Sequence, residues 1–340
     1  MTAGASAGAP SYELRPVEPR RVPVWAVSAV FWAVAVGLIV LRHSGLADVV
    51  WVTTFGLIFA SIAIEALPFI LLGAIVSAAL AAYVPDRAFA RIGRLPRWLQ
   101  VPGATAAAVA FPVCECGSVP VARRLIARGV DPVAGVVFML AAPVLNPVVL
   151  GSTWVAYGGG SRGAEMVGGR MTLGLATSVL AGLVLGRGKQ GLLRDRAGEA
   201  DVHGHRVGGA PAFVEHLASD FLFMGRFLVL GAALAALLQT LVPQGVITGI
   251  AGVPVLGTLV LMAMAFMLSL CSEADAFVAA SFVAFPLSAQ LAFLTIGPIA
   301  DTKLAVLYGA TFRGRFVVRL VAVAVPSCLI GSLLFGAVTA

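Results

Sequence analysis

Residues 103–121 read GATAAAVAFPVCECGSVPV, an apolar run of bilayer-spanning length that is interrupted at its centre by FPVCECGSVP. A membrane-spanning helix needs about 20 consecutive apolar residues, and the prolines, the glycine and the carboxylate in this run break such a helix. Irregular backbone is tolerated at membrane depth only where it is buried in protein or lines a wet cavity. We therefore expect a re-entrant hairpin, with its tip near Cys114–Gly117, inside a larger membrane protein.

The composition of the whole chain agrees with a membrane location. Of its 340 residues, 60% are hydrophobic and 11% are charged, whereas soluble domains have roughly 45–50% apolar and about 25% charged residues. The mean hydropathy is +0.99. These values exclude a water-soluble globular protein and leave no room for a separate soluble enzyme domain. The net charge of +7 is carried by short basic clusters between apolar runs, which indicates membrane topology rather than a nucleic-acid-binding face.

A second interrupted run has the same character as the first. Val253–Phe285 is 33 residues long and contains LSLCSEADA, so it is also expected to be a hairpin. The sequence thus predicts an all-α polytopic membrane protein with about seven transmembrane helices and two Cys-containing re-entrant hairpins, or eight to nine spans if the hairpins cross. The seven predicted crossings are Val24–Leu41, Phe55–Val84, Pro132–Tyr157, Met166–Leu185, Phe221–Leu241, Ala289–Tyr308 and Phe316–Val338.

The loop charges decide between a hairpin and a crossing, because Lys and Arg concentrate in cytoplasmic loops. All five basic clusters can be cytoplasmic only if residues 103–121 enter and leave on one side. The same orientation places Pro243–Gly252 and Pro286–Gln290, which lack Lys and Arg, outside. It makes the N-terminus cytoplasmic. The clusters lie at Arg15–Arg21, Arg87–Arg97, Arg123–Arg128, Arg187–Arg206 and Arg313–Arg319.

An internal repeat relates the two interrupted runs. FILLGA at Phe69–Ala74 recurs as FLVLGA at Phe227–Ala232, and Cys114 has a counterpart in Cys271 at nearly the same spacing. Each half would hold an odd number of crossings, which predicts an inverted repeat with the working site where the halves meet. The predicted organisation is a disordered cytoplasmic tail (1–23), an extra N-terminal helix (24–48), a first repeat (49–186), a cytoplasmic linker loop (187–216) and a second repeat (217–340).

Ionisable residues inside a membrane are costly and mark functional pathways. Glu273 and Asp275 would repel each other unless they are wet, share a proton or bind a cation. Alternatives remain for the others: Asp301 and Lys303 could neutralise each other locally, and Glu65 could pair with Arg226 or Arg170. The candidates for proton or ion coupling are Glu65, Glu115, Glu273, Asp275, Asp301 and Lys303.

The cysteines and the broken helices supply candidate substrate-binding residues. Thiolates favour soft or borderline ions, so Cys114, Cys116 and Cys271 could converge on one three-coordinate centre as substrate or metal ligands; alternatively, each is a small apolar side chain. Cys328 is expected to serve packing. Prolines in mid-span free backbone carbonyls and expose helix ends for ion binding, which adds Pro143 and Asn146 of the first half and Pro298 of the second.

No signature of a primary pump or an enzyme is found: the sequence lacks GxxxxGK[ST], HExxH and a catalytic triad. We expect no catalytic residues and no cofactor. Energy would come from an ion gradient or from downhill flow of the substrate. The expected partners are a small-molecule or metalloid substrate and membrane lipid, with no nucleic acid; a homo-oligomer remains open.

Two pairs of motifs resemble a known family. FPVCECGSVPVARRL, followed by LAAPVLNPVV, and LSLCSEADAFVAASF, followed by LAFLTIGPIADTK, resemble the bacterial predicted-permease family that includes the organoarsenical (methylarsenite) efflux permeases. The resemblance extends from Phe55 to the C-terminus. It implies a multi-pass secondary permease of the bacterial plasma membrane. For the arsenical members of the family it also implies export of trivalent organoarsenicals with cysteines in substrate capture, and the matching thiols here would be Cys114, Cys116 and Cys271.

The first motif departs from the family pattern, because Glu115 and Gly117 stand where many relatives have small hydroxyl residues. A carboxylate between two thiols would suit a divalent metal better. The leading prediction is a secondary-active permease that exports a small thiophilic solute such as a trivalent organoarsenical. The alternatives are a divalent transition-metal transporter, for example of zinc with Glu115 as a ligand, and a membrane complex subunit that transports nothing itself.

Overall fold

In the residues that the computed structural model describes, helices are the only regular secondary structure apart from one isolated bridge between Leu193 and Phe312. The predicted tail (1–23) and N-terminal helix (24–48) lie outside the described residues. The described residues are 50–111, 113–187, 192–194, 210–241 and 254–339.

Among the described residues, five helical spans are long and apolar enough to cross a membrane: Val52–Tyr83, Pro132–Ala156, Gly160–Leu185, Ala212–Thr240 and Phe316–Thr339. They confirm an all-α polytopic membrane protein. In chain order the described helices are α1 (Val50–Tyr83), α2 (Asp86–Arg94), α3 (Arg97–Ala110), α4 (Glu115–Ala127), α5 (Pro132–Leu145), α6 (Pro147–Ala156), α7 (Gly160–Leu185), α8 (Ala210–Leu241), α9 (Pro254–Leu268), α10 (Asp275–Ser281), α11 (Leu287–Ile296), α12 (Thr302–Thr311) and α13 (Phe316–Thr339).

Two predicted boundaries differ from the structure. The predicted crossing Ala289–Tyr308 is two ten-residue helices, α11 and α12, separated by a turn. Helix α8 begins at Ala210, so the end of the predicted linker 187–216 is already helical. Whether each interrupted run enters and leaves the membrane on one side stays a prediction of the charge pattern.

Each half contains two interruptions, and local chemistry explains them. The α3–α4 break leads into Cys114, and Glu115 is the first residue of α4. A carboxylate at this position stabilises the helix, because the N-terminus is the positive end of the helix dipole. The α5–α6 break lies at Asn146, whose Oδ1 accepts a hydrogen bond from Val148 N at 2.9 Å. Asp301 plays the same part before α12, where its Oδ1 accepts from Leu304 N at 2.6 Å. These side chains cap helix ends that would otherwise leave N–H groups unpaired inside the protein.

The halves share an order of elements and pack crosswise. Each begins and ends with a long helix and carries a Cys break and a capped break between them. The long helices α1 and α8 pack side by side, α4 of the first half packs on α12 of the second, and α10 of the second packs on α6 of the first. Two glycines of the repeated motif allow close approach: a Cβ on Gly73 would lie 2.3 Å from Gly117 Cα, and one on Gly231 would lie 2.7 Å from Lys303 Cα.

Four of the basic clusters meet at one end of the helices. Arg97 pairs with Asp131 at 3.0 Å, and the Arg128 guanidinium donates to carbonyls at the end of α1. Arg194 N donates to Thr311 O at 3.0 Å, and Arg313 N donates to Leu192 O at 2.9 Å. That these basic loops share the cytoplasmic side of the membrane stays a prediction.

Candidate functional site

A buried cluster of charges joins the first Cys break to the second half. Lys303 Nζ lies 2.9 Å from Glu115 Oε1 and 3.5 Å from Asp301 Oδ2. The same ammonium donates to the carbonyl oxygens of Ser269 at 3.0 Å and Leu270 at 3.2 Å. All of these groups are buried, since the side chains of Lys303 and Glu115 are 3% and 1% exposed. The cluster therefore ties α4, α12 and the unwound segment between α9 and α10 at one point.

A short contact connects the second Cys break with this cluster, and another lies within the break. Ser272 Oγ donates to the second carboxylate oxygen of Glu115 at 3.0 Å. The Cys271 thiol donates to Glu273 Oε2 at 2.7 Å. Glu273 Oε1 is buried and has no hydrogen-bond partner among the described residues. The tips of the two interrupted runs thus face each other directly.

The three predicted thiols come together. Cys114, Cys116 and Cys271 belong to one buried cluster with Met224 and aliphatic side chains of α1 and α8. A narrow cavity beside this cluster has room for about one water molecule. Its lining combines a thiol, a thioether and an ammonium with three aliphatic side chains: Ile70, Cys116, Met224, Leu228, Lys303 and Leu307.

A separate ion pair closes the structure between the thiol cluster and the basic end. Arg124 Nη2 lies 2.6 Å from Asp220 Oδ2, and Arg124 Nε donates to Ser77 Oγ at 2.8 Å. Ser77 Oγ donates to the same Asp220 oxygen at 2.7 Å. Arg124 and Asp220 belong to different halves, and the side chain of each is 17% exposed. This ion pair therefore links α4, α1 and α8 toward the basic end of the helices.

A second ion pair between the halves is completely enclosed. Both terminal nitrogens of Arg170 bond the Asp275 carboxylate, at 3.0 and 2.8 Å. Arg170 also donates to Thr153 Oγ1 at 2.9 Å and to the Ser272 carbonyl oxygen at 3.2 Å. The two side chains are 0% and 4% exposed. This pair holds α7, α6 and the second Cys break together.

Comparison with known proteins identifies the family. Residues 52–337 match the family model ArsP_1, described as "Predicted permease". The chain belongs to this predicted-permease family. The permease is 41% identical over 285 residues to "UPF0718 protein YcgR" of Bacillus subtilis (strain 168), which covers 82% of this chain and 95% of that protein. It is 34% identical over 273 residues to "Putative two-component membrane permease complex subunit" of Streptococcus mutans serotype c (strain ATCC 700610 / UA159), covering 78% and 89%. No solved structure is significantly similar to it.

Most of the predicted coupling residues of the permease lie in the charge clusters. Lys303 has the predicted local contact with Asp301, but its shorter ion pair is with Glu115. Glu65 is half-buried on α1, close enough to Lys303 and Glu115 to interact electrostatically. Its suggested pairing with Arg170 is wrong, because that guanidinium binds Asp275.

The remaining predicted residues of the permease have more local roles. The side chain of Asn146 is used as a helix cap, and Pro143 and Pro298 are buried beside the two capped breaks. The Cys328 thiol packs 3.8 Å from Thr177 Oγ1, in a different cluster from the other thiols.

The metal-ligand role predicted for the three cysteines has no support in the structure. Within the described ranges, no three His, Cys, Asp or Glu side chains are arranged to hold a metal ion. Glu115, the additional ligand of the zinc alternative, is already bonded to Lys303 and Ser272. The three thiols lie in a buried, mainly apolar cluster, and their role as metal ligands stays a prediction.

Four residues at or near the candidate site were not predicted from the sequence. Ser269 and Ser272 were part of the quoted LSLCSEADA motif, and small hydroxyl residues beside a helix break are a usable signal of local capping. Met224 gave no signal, because methionine is ordinary in an apolar helix. Asp220 is an acid near the start of α8, but its partner Arg124 lies 96 positions earlier in the chain.

Proposed function

We propose that the chain is a secondary-active permease that exports a small thiophilic solute, with trivalent organoarsenicals as the leading candidate. The observation that carries this proposal is the shared cluster of Cys114, Cys116 and Cys271, which brings thiols of both halves beside the Lys303 cavity. Soft sulfur ligands recognise soft solutes. The aliphatic lining suits the organic group of such a solute.

The arrangement of the two halves supports a transport mechanism based on an inverted repeat. In such carriers the site forms where discontinuous helices of the two halves meet, and the halves rock around it. Here the Arg124–Asp220 ion pair closes one side of the thiol cluster, and Arg170–Asp275 joins the halves at the second Cys break. We infer that these pairs open in turn, so that the solute is exposed first to the cytoplasm and then to the outside.

The charge of the pocket favours a neutral thiophilic solute over a divalent metal. Lys303 already occupies the carboxylates of Glu115 and Asp301, so a divalent metal would have to displace the ammonium to use them as ligands. A neutral trivalent arsenical reacts with thiols without bringing a net charge into this buried space, where an unpaired charge is costly.

Transport into everted membrane vesicles tests the proposal. Vesicles that contain the wild type should accumulate methylarsenite, and the Cys114→Ser/Cys116→Ser/Cys271→Ser variant should lose this accumulation. Cys328→Ser is the matched control, because its thiol lies in another cluster, and it should transport normally. Unchanged transport by the triple variant would exclude the thiol mechanism, and accumulation of zinc instead would favour the divalent-metal alternative.

A second candidate function comes from one relative. The Streptococcus mutans protein is named as a subunit of a two-component membrane permease complex. On this view the present chain would act only together with a second membrane protein. Purification of the tagged chain under mild detergent, followed by identification of a stoichiometric partner, would favour this function.

A further inference from the structure

The surroundings of the Lys303 ammonium are those of a bound cation. Four oxygens from three separate segments face Nζ: Glu115 Oε1 at 2.9 Å, Asp301 Oδ2 at 3.5 Å, and the carbonyls of Ser269 at 3.0 Å and Leu270 at 3.2 Å. Carboxylates combined with carbonyls from an unwound helix are the ligands that carriers built from discontinuous helices use for coupling cations. The ammonium takes the central position.

The backbone near Lys303 is shaped to present carbonyl oxygens to its ammonium. Ser269 has φ of 49°, a left-handed conformation that a non-glycine residue adopts at an energetic cost. Its side chain holds the conformation in place, because Ser269 Oγ accepts a hydrogen bond from Thr302 N at 3.0 Å. The strained residue thereby presents its carbonyl to the ammonium while it caps the start of α12.

The two carboxylates depend on this one cation. Glu115 Oε1 and Asp301 Oδ2 are both buried, and in the described part of the chain no polar group other than the Lys303 ammonium pairs with either oxygen. Their nearest cation is the Lys303 ammonium. Without it, two carboxylates would share a buried space with no counter-charge, which is strongly unfavourable.

From these observations we propose that Lys303 is a tethered cation: its ammonium occupies the position in which a carrier of this design would bind a free monovalent coupling cation. That such a cation would be a coupling cation rests on the proposed transport function. The site itself is defined by the oxygens around Nζ. The permease then works without Na⁺ or K⁺ at this position. Removal of the lysine side chain should expose a binding site for a free cation.

The size of the site limits which cation could replace the ammonium. The oxygens lie 2.9 to 3.5 Å from Nζ, whereas Ca²⁺ is held at about 2.3–2.6 Å and Mg²⁺ at about 2.0–2.1 Å. A large monovalent cation fits these distances without rearrangement of the backbone. Ammonium and ethylammonium, which also replaces part of the missing side chain, are therefore the best probes, followed by K⁺.

Thermal unfolding of the purified full-length protein in detergent tests the proposal without any transported solute. The Tm of the wild type should be the same in choline, potassium, ammonium and ethylammonium chloride at equal ionic strength. Lys303→Ala should have a lower Tm in choline chloride and recover at least half of that loss in ethylammonium chloride. Lys303→Met is the matched control: it lacks the charge but fills the space, so it should lose Tm without recovery.

Three results would overturn the proposal. They are equal recovery of the Ala and Met variants, no recovery of either, and a wild-type Tm that depends on K⁺ or ammonium. If Lys303→Ala does not fold, the variant Lys303→Ala/Glu115→Gln leaves only one uncompensated carboxylate and should show the same recovery. A failed methylarsenite assay would leave this measurement unaffected, so the two proposals fail independently.

Discussion

The Arg170–Asp275 pair offers the sharpest test of how the halves are held together. Replacing Arg170 with Met removes four hydrogen bonds and leaves the Asp275 carboxylate buried without a counter-charge. The methionine keeps most of the aliphatic volume, so the change isolates the charge. Because neither side chain is exposed by more than 4%, water cannot replace the lost partner.

The expected cost follows from this burial. Removing one partner of a buried ion pair costs about 3–5 kcal/mol, mainly because the other charge is left uncompensated. At about 2 °C per kcal/mol for a large protein, the Tm should fall by about 6–10 °C. The double variant Arg170→Met/Asp275→Asn removes the uncompensated charge and should regain more than half of that loss.

These Tm changes are measured by thermal unfolding in detergent, with the fraction of protein that remains soluble and monodisperse as the signal. Arg162→Met on the same helix is the matched control. Its side chain is exposed, so the change should alter stability by no more than about 0.5 kcal/mol. An Arg170→Met variant as stable as Arg162→Met would contradict a stabilising role of the ion pair. A double variant no more stable than Arg170→Met would show that the uncompensated Asp275 carboxylate is not the cause of the loss.

Three further perturbations test other parts of the structure. Gly73→Ala places a Cβ against the backbone of α4 and should cost about 1–3 kcal/mol by overpacking, whereas Gly56→Ala, which meets open space, should not destabilise the protein. Asp220→Asn weakens a partly exposed ion pair worth about 1 kcal/mol. The open form should then be about fivefold more populated, so an impermeant maleimide should label Cys116 about fivefold faster in everted vesicles. Asn146→Ala removes a buried helix cap and should cost about 0.5–2 kcal/mol, part of which Asn146→Ser should restore because its hydroxyl is a neutral capping group.

Each of these predictions has a contradicting result. Equal Tm values for the two glycine variants would argue against the close crossing of α1 and α4. Faster labelling from the outside only, measured in right-side-out vesicles, would place the Asp220 ion pair on the wrong side of the thiols. A fully stable Asn146→Ala variant would mean that the N–H groups of α6 find other partners.

The sequence was sufficient to locate the interruptions of the helices. Polar, helix-breaking residues in apolar runs identified the breaks at Cys114 and Cys271, and mid-span prolines indicated the breaks beside Asn146 and Pro298. These features depend on local chemistry, and local chemistry is visible in a single sequence. The five long spans among the described residues confirm a polytopic membrane protein, and the family assignment confirms the resemblance to the predicted permeases.

The partners of the buried charges could not be predicted in the same way. Asp301 lies two positions from Lys303, so a local salt bridge satisfied the pattern, yet Glu115, from the other half, makes the shorter contact. Arg170 and Asp275 are separated by 105 positions. Pairing across the halves depends on how α4 packs on α12 and α10 on α6, and one sequence does not specify that packing.

Transport by the purified chain alone tests whether this permease moves a thiophilic solute by means of Cys114, Cys116 and Cys271. The protein would be reconstituted into liposomes without any other protein, and movement of methylarsenite across the bilayer would be followed with time. Time-dependent movement that the wild type and Cys328→Ser support, and that the Cys114→Ser/Cys116→Ser/Cys271→Ser variant does not, is the predicted result. No movement by the wild type, or equal movement by the triple variant, would contradict the account.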